Sequence, residues 1–555
     1  MSREPLTESY WPKEAGEIRE ITLPELLRGA AAAKPDQLAL VHGAADPAER
    51  REWTYAEFLA DAEAAARALL ARYQPGDRIA IWAPNSAEWV ILQQAIAMAG
   101  MIVVAANPAY RSSELEYMLK QSQAKALFYA GEYRGTQLRD ILDEVAPTTP
   151  ELKDLYCLDR WDDFLSTAAS ETALPTVAPR DPVQIQYTSG TTGSPKGALL
   201  HHMGIVNEAT LVGERAGNAE AGGVCINAMP MYHIGGGAVT ELQTISAHGT
   251  YVVVPTFDPA LILELFETYS GTHGLFVPTM LLALLEHPDR AAHDLSSITT
   301  LWTGAAPVPE ALIRRVTEEF GCRTTILFGQ TEMHGVTHQT RVTDSPQDQA
   351  NSVGQPVPEL EVKVVDLLSN EVVPIGEQGE ILCRGYQVML EYFQNPQATK
   401  ATISDDGWLR MGDIGVMDDR GFVKITGRVK EMIIRGGMNI YPREIEELLF
   451  DHPAISEAVV TGVPHEKWGE EVAAVLRLKS GLKMPSAAEL KGWCRERIAA
   501  HKTPARWYVT ANYPMTASGK IQKYILAKNI IEGETEDLIE LQLDLPAQVS
   551  KEASA

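Results

Sequence analysis

At 555 residues the chain is longer than one hydrophobic core supports, so two or more domains are expected. Its 45% hydrophobic and 22% charged residues are ordinary for a globular protein. A formal charge of −26 argues against nucleic acid or an anionic membrane as a general partner, so an anionic ligand would need cations placed locally against that field.

Met1 to Leu23 is polar and carries several acids, unlike a signal or transit peptide. Cys157, Cys225, Cys322, Cys383 and Cys494 are widely spaced and form no CxxC pair, so reduced thiols of a cytoplasmic protein are expected, with no zinc site and no disulfide framework.

Thr54 with Glu57 has capping-box spacing and opens an Ala-rich helix to about Ala71. Pro75 to Asp77 turns the chain into a strand, Arg78 to Trp82. The most apolar stretch, Trp89 to Ala106, is interrupted by Gln93, Gln94 and Gly100. It reads as a core helix from about Ser86 followed by a buried strand from Met101, not as a membrane span. Ser113 with Glu116 is expected to cap a further helix, and Lys125 to Tyr129 to return as a strand. Further strands are read at Pro182 to Tyr187, Tyr251 to Val254, Gly274 to Val277, Ile298 to Trp302 and Thr324 to Phe328. Helices at Pro259 to Thr268, Thr279 to Glu286 and from Pro309 alternate with them. This alternation implies βαβ units and a parallel sheet covered on both faces.

Beyond Val353 the pattern changes to short alternating runs broken by Pro and Gly, a smaller β-rich subdomain. After Gly427 come strand-like runs at Ala454 to Gly462 and Glu470 to Leu478, with helices near Arg443 to Leu449 and Ala487 to Ala499. From about Glu532 the chain is acidic and reads as loosely ordered. The expected fold is thus α/β with α+β: a large N-terminal domain of parallel and mixed sheets with helices plus a β-rich subdomain, then a small mobile α+β domain. Its boundaries fall at 1–427, with the subdomain at about 353–427, a hinge at 428–430, and 431–555.

Tyr187 to Gly197 reads Tyr-Thr-Ser-Gly-Thr-Thr-Gly-Ser-Pro-Lys-Gly. Glycines expose backbone N–H groups, Ser and Thr hydroxyls add donors, and Lys196 adds charge, a composition suited to gripping a polyphosphate. A Walker A loop needs Ser or Thr after Gly-Lys, whereas here Pro195 precedes Lys196 and Gly197 follows it. A Ser/Gly linker is the plainer reading, but it requires neither the preceding strand nor the Pro-Lys-Gly stop. The loop resembles the phosphate-binding signature of the adenylate-forming superfamily, which contains acyl- and aryl-CoA ligases, luciferases and peptide-synthetase adenylation domains.

Six further stretches fit that superfamily's pattern in order, and taken singly each has a plainer structural reading: a core histidine, a tight turn, a helix start or a solvated charge. Met229 to Gly237 (Met-Pro-Met-Tyr-His-Ile-Gly-Gly-Gly) resembles the segment that places His233 where carboxylate and phosphate meet, its glycines opening onto an acyl tunnel. Thr303 to Pro307 implies Gly304, Ala305 and Ala306 along the adenine plane. Phe328 to Glu332 implies Phe328 stacking on adenine beside Gly329 and Gln330, Thr331 on phosphate and Glu332 on Mg²⁺. Phe328 stands where Tyr is commoner, and Met411 where Thr is.

Trp408 to Asp413 implies Asp413 as acceptor for both ribose hydroxyls. Gly427 to Glu446, the longest match, implies Arg428 as second ribose ligand, Lys430 at the hinge, and Gly436 and Gly437 beside the CoA arm. Pro514 to Lys520 implies Lys520 bridging the acid carboxylate and the α-phosphate. In the phosphate loop the resemblance assigns nucleotide contacts to Thr188, Ser189, Gly190, Thr191, Thr192, Gly193 and Lys196, with Thr188 and Lys196 also catalytic.

The activity implied is an AMP-forming carboxylic acid–CoA ligase using ATP, Mg²⁺ and coenzyme A. The chain is most similar to bacterial fatty-acid and medium-chain acyl-CoA synthetases. A fatty acid is the first expectation for the substrate, and a cyclic, aryl or steroid-side-chain acid the second. Tyr232, Gly236, Thr303, Met333, His334 and Val336 are candidates for the pocket wall. Delivery to a carrier protein, a luciferase-type oxygenase and a non-catalytic binding relative are the rivals. Lys196, Glu332 and Lys520, whose loss would favour the last, are all present. No nucleic-acid partner and no membrane span are expected, while peripheral membrane contact and a homodimer are left open.

Overall fold

A computed structural model describes residues 4–166, 172–188, 195–217, 222–479, 481–515, 521–533 and 538–541. These form two compact units. The larger comprises the described residues of 4–188, 195–411 and 416–424, and the smaller those of 412–415 and 425–541.

Local signals fix many element ends in the larger unit. Thr54 caps helix Tyr55–Leu70 in a complete capping box with Glu57, and Ser86 caps helix Ala87–Met98 through the N–H of Trp89. The latter helix is buried on every side, Gln93 and Gln94 included, and runs into the fully buried strand Ile102–Ala106. Among the described residues no helix is long and apolar enough to cross a membrane. One expectation shifts: helix Ser112–Ser122 starts before Ser113, and Glu114, not Glu116, reaches back to the cap, accepting from the N–H of Arg111 at 3.1 Å.

Two sheets build most of this unit. Seven strands run in the order Glu391–Tyr392, Lys196–His201, Pro182–Thr188, Ile102–Ala106, Arg78–Trp82, Ala126–Tyr129 and Asp154–Cys157. From Pro182–Thr188 onward the pairing is parallel, as the βαβ alternation requires. The nine-stranded sheet has the parallel centre Arg323–Gln330, Thr300–Gly304, His273–Leu275, Val224–Asn227, Thr250–Val253 and Leu38–His42, with antiparallel strands at both edges. Ile226, Val252, Phe266, Phe276 and Ile326 belong to the core packed on it.

The β-rich part has the strand order Tyr10–Trp11, Leu360–Val365, Gln378–Gly385, Leu409–Met417 and Val423–Arg428. Its first strand comes from the N-terminal segment: Tyr10 pairs with Lys363 and Trp11 with Val362. The smaller unit packs helices Pro442–Phe450, Ala487–Arg495 and Lys523–Glu532 with a sheet whose longest pair is Ile455–His465 and Gly469–Leu478. The expectation of loose order from Glu532 is corrected in part, since Ile539–Glu540 pairs with Val509 and Tyr508.

Candidate functional site

Three of the motifs leave the same edge of the nine-stranded sheet. Strand Val224–Asn227 leads to His233, Thr300–Gly304 to Ala305 and Ala306, and Arg323–Gln330 to Thr331 and Glu332. Parallel strands end together at their carboxyl termini, which is where open α/β sheets bind ligands. Gly304 pairs with Leu327, and a Cβ on Gly304 would lie 2.1 Å from the Leu327 carbonyl oxygen, so only glycine permits this approach. That brings exposed Ala305 and Ala306 beside Phe328, Gly329 and Gln330, where a bulge interrupts the ladder. Ala305 holds a φ of 61°, a conformation that non-glycine residues rarely adopt and that recurs at ligand sites.

His233 stands at the start of a π-helical turn, Gly235–Thr240. The N–H groups of Gly236 and Gly237 both donate to its carbonyl, at 3.1 and 2.9 Å. The Gly235 N–H donates to the ring Nδ1 at 3.3 Å, which puts the proton of the neutral imidazole on Nε2. Two of the glycines answer a steric need of the chain itself. A Cβ on Gly236 would lie 2.4 Å from the Pro230 carbonyl oxygen, and one on Gly237 would lie 2.1 Å from that of Met231. Two of the three therefore admit the chain's own backbone; only Gly235 has ordinary space around it. Gln93 bonds the Gly237 carbonyl at 2.8 Å and the Glu241 carboxyl at 2.7 Å, which explains a polar pair inside an apolar helix.

Strands Pro182–Thr188 and Lys196–His201 pair as a two-stranded stem on either side of residues 189–194. Thr188 pairs with Lys196 and Tyr187 with Gly197. Ser189, Gly190, Thr191, Thr192 and Gly193 lie outside the described residues. Tyr117 donates its hydroxyl to the Pro195 carbonyl at 2.9 Å, and Tyr187 bonds Gln121, so helix Ser112–Ser122 braces both sides of the stem. Lys196 Nζ lies 4.7 Å from the centroid of the Tyr392 ring. The Tyr392 hydroxyl in turn donates to Glu332 Oε1 at 2.6 Å. Glu332 is 8% exposed on the single turn Thr331–Met333. Burial, and then the charge of Glu332, push the Tyr392 hydroxyl far above its usual range, so it remains a donor. Nothing in the sequence singles out Tyr392: a two-residue strand carries no periodicity.

In the smaller unit Arg428 Nε pairs with the Asp413 carboxylate, 2.9 Å from Oδ1. Lys430 is exposed on the turn Val429–Glu431. Gly436 and Gly437 join strands Ile433–Arg435 and Met438–Ile440 with φ of 59° and 82°, the two positive values that a two-residue type I′ hairpin demands. Lys520 lies outside the described residues. Its neighbours are placed: Met515 bridges Ile521, and Lys523 pairs with Glu431 at 2.7 Å and Glu446 at 2.8 Å. A cavity of about 420 Å³ lined by Lys13, Arg180, Glu359, Arg384 and Tyr386 contains none of the residues expected at the site.

Among the described residues no three His, Cys, Asp or Glu side chains cluster as a metal cage. A single carboxylate, Glu332, linked through Tyr392 to Lys196, suits Mg²⁺, which keeps phosphate oxygens and waters as its other ligands. Small-residue strand ends, a half-buried Phe328, a cationic loop stem and a lone buried carboxylate are the equipment of a nucleotide-binding α/β enzyme.

The comparisons with known proteins agree. The AMP-binding enzyme model matches residues 27–393 and the AMP-binding enzyme C-terminal domain matches 444–520. A Bacillus subtilis protein named as an acyl-CoA synthetase, YngI, is 39% identical over 93% of this chain and 98% of its own. The mouse mitochondrial medium-chain acyl-CoA ligase ACSF2 is 36% identical over 92% of this chain and 87% of its own. Among solved structures, o-succinylbenzoate CoA synthetase (MenE) of Bacillus subtilis with its acyl-adenylate intermediate superimposes with a TM-score of 0.80 at 28% identity, covering 95% of this chain and 100% of that one. The chain belongs to the AMP-binding enzyme family and is an acyl-CoA ligase of the AMP-forming kind.

Proposed function

We propose that this ligase activates a fatty acid of medium chain length, with Mg²⁺ on Glu332 and coenzyme A as the acceptor. The convergence of His233, Ala305 and Glu332 at one carboxyl edge carries this reading, because an acid and a nucleotide can meet there. The name of the 36% identical mouse relative supports the acid. A second reading, an aryl acid, draws on the structural likeness to MenE and to an anthranilate CoA ligase, at 28% and 25% identity.

In the first half-reaction a carboxylate oxygen attacks the α-phosphorus of ATP and the bond to pyrophosphate breaks. Two anions must be brought together, and Lys196 and Lys520 supply the offsetting charge. Bound Mg²⁺ would neutralise phosphate charge. Asp413 and Arg428 hold the ribose, Thr188 and Thr331 contact phosphate, and His233 offers its Nε2–H toward the acid. In the second half-reaction the CoA thiolate attacks the acyl carbon and AMP leaves, beside the Gly436–Gly437 turn. A rotation about Lys430 exchanges Lys520 for the CoA arm between the two steps. The corresponding boundaries are 1–427, 428–430 and 431–555; in support, the last changeover between the two compact units falls at 424–425 in the chain.

Pyrophosphate release over a panel of acids, with and without CoA, tests the activity. Medium-chain acids should give the highest kcat/KM, with CoA required for turnover; turnover on aryl acids alone would overturn the substrate. Lys520→Ala should abolish adenylation while sparing thioester formation from supplied acyl-adenylate. Equal loss in both steps would overturn the role of Lys520.

A further inference from the structure

The segment Met389 to Phe393 is sewn to both halves of the phosphate-handling site. On one side Leu390 N–H donates to the Leu199 carbonyl at 2.9 Å and Phe393 N–H to that of Gly197 at 2.8 Å, both on the strand leaving the phosphate loop. On the other, Met389 N–H donates to the Glu332 backbone carbonyl at 2.9 Å. Gln121, which also bonds Tyr187, donates to the Phe393 carbonyl at 2.6 Å. Within this brace Tyr392 is 5% exposed, one face near Lys196 and its hydroxyl on Glu332.

We infer that Tyr392 is the positioning residue that aims the Glu332 carboxylate at the metal–phosphate site and aligns Lys196 with it. This rests on the assignment of Glu332 as the metal ligand. A carboxylate has two oxygens and can rotate about its terminal bond. The Tyr392 hydroxyl on Oε1 restricts that rotation and leaves Oε2 as the oxygen available to a cation. The ring contact sets Lys196 by a separate interaction that does not use the hydroxyl. The two functions can therefore be removed one at a time. A tyrosine buried merely for packing would also seek a hydrogen-bond acceptor, and the experiment separates that case.

Mn²⁺ binding to the protein with α,β-methylene-ATP, followed by electron paramagnetic resonance, reads the metal site without turnover. Y392F should weaken Mn²⁺ retention roughly 10- to 100-fold, the usual effect of losing a partner behind a metal ligand. Its affinity for the metal-free nucleotide should be unchanged. Y392L, lacking the ring as well, should also weaken metal-free nucleotide binding. If E332Q loses Mn²⁺ and Y392F retains it, the inference is overturned while Glu332 stands. If neither loses Mn²⁺, the assignment of Glu332 itself falls. Equal weakening of metal-free nucleotide binding in Y392F and Y392L would make Tyr392 a general packing residue and overturn the inference.

Discussion

Arg428 Nε forms an ion pair with Asp413 Oδ1 at 2.9 Å, joining a side chain that is 52% exposed to one that is 2% exposed. The carboxylate is buried while the guanidinium remains largely exposed. Each side chain therefore orients the other, which would reduce the ordering that binding a ribose between them requires. Asp413→Asn preserves the shape and removes the charge that would accept two hydroxyl donors. Because hydrogen bonds to charged groups contribute about 1.5–3 kcal/mol, the KM for ATP should rise roughly 10- to 100-fold. The KM for the acid should be unchanged. Steady-state kinetics in each substrate separately checks this.

The three glycines after His233 can be told apart. An added methyl at Gly235 meets atoms no closer than 3.4 Å, so Gly235→Ala should fold as the parent does. At Gly236 and Gly237 the methyl would meet backbone carbonyls at 2.4 and 2.1 Å, and backbone there is also held by Gln93 and Tyr251. Overpacking of this kind costs about 1–3 kcal/mol or more, so G236A and G237A should lower the urea midpoint. Were all three glycines serving tunnel width, each would change chain-length preference without a stability loss. Urea unfolding followed by a chain-length panel distinguishes the two.

What the sequence makes legible is local. Thr54 and Glu57 are three residues apart, and Arg78 to Trp82 is bounded by its own turn; both elements form where expected. Two structural features escape such reading because their causes are distant in the chain. Tyr10 and Trp11 become a strand only through Lys363 and Val362, and no local pattern announces that partner. Tyr392 matters through Glu332, sixty positions away in sequence, and its own neighbours form just two residues of strand. The misplaced cap at Ser113 is a competition between similar candidates: Glu114 and Glu116 are both near a hydroxyl-rich start, and the chain geometry selects the former.

Gly437 gives a test of backbone conformation alone. A Cβ there meets nothing within 4 Å, so substitution acts only through its φ of 82°. Gly437→Ala should destabilise the smaller unit by about 1–2 kcal/mol, the usual cost of a left-handed residue with a Cβ. Gly437→Asn should cost less, since Asn tolerates that region. Hydrogen exchange of Ile433–Arg435 and Met438–Ile440 would report the loosened hairpin. Equal protection in all three proteins would rule out the type I′ requirement.

Buried titratable groups set opposing slopes of stability against pH in the larger unit. Burial pushes His201 and His202 down to about 4, and His273 and His338 down to about 3. Unfolding lets each take a proton below about 6.5, so their contribution is complete above that pH and is lost as the pH falls toward the folded values. Glu241 behaves in the opposite sense. Burial raises it to about 8 from 4.5, against the lowering effect of Gln94 and Gln93. Folding therefore retains its proton, and stability falls as pH rises from 4.5 to about 8, by about 1.4 kcal/mol per unit. Glu208, raised well above 4.5 by burial, adds a loss of the same sign. Maximum stability should lie near pH 6.5, where the histidine contribution is complete and the alkaline loss is still partial. Glu241→Gln removes one alkaline slope. Gln94, whose Oε1 has no hydrogen-bond partner among the described residues, can turn that oxygen toward the new amide and keep the cluster bonded. Between pH 6.5 and 8 the variant's unfolding free energy should decline less steeply than the parent's, by about 1.4 kcal/mol per pH unit. Parallel declines in urea titrations of the two proteins would show that Glu241 is already ionised in the fold.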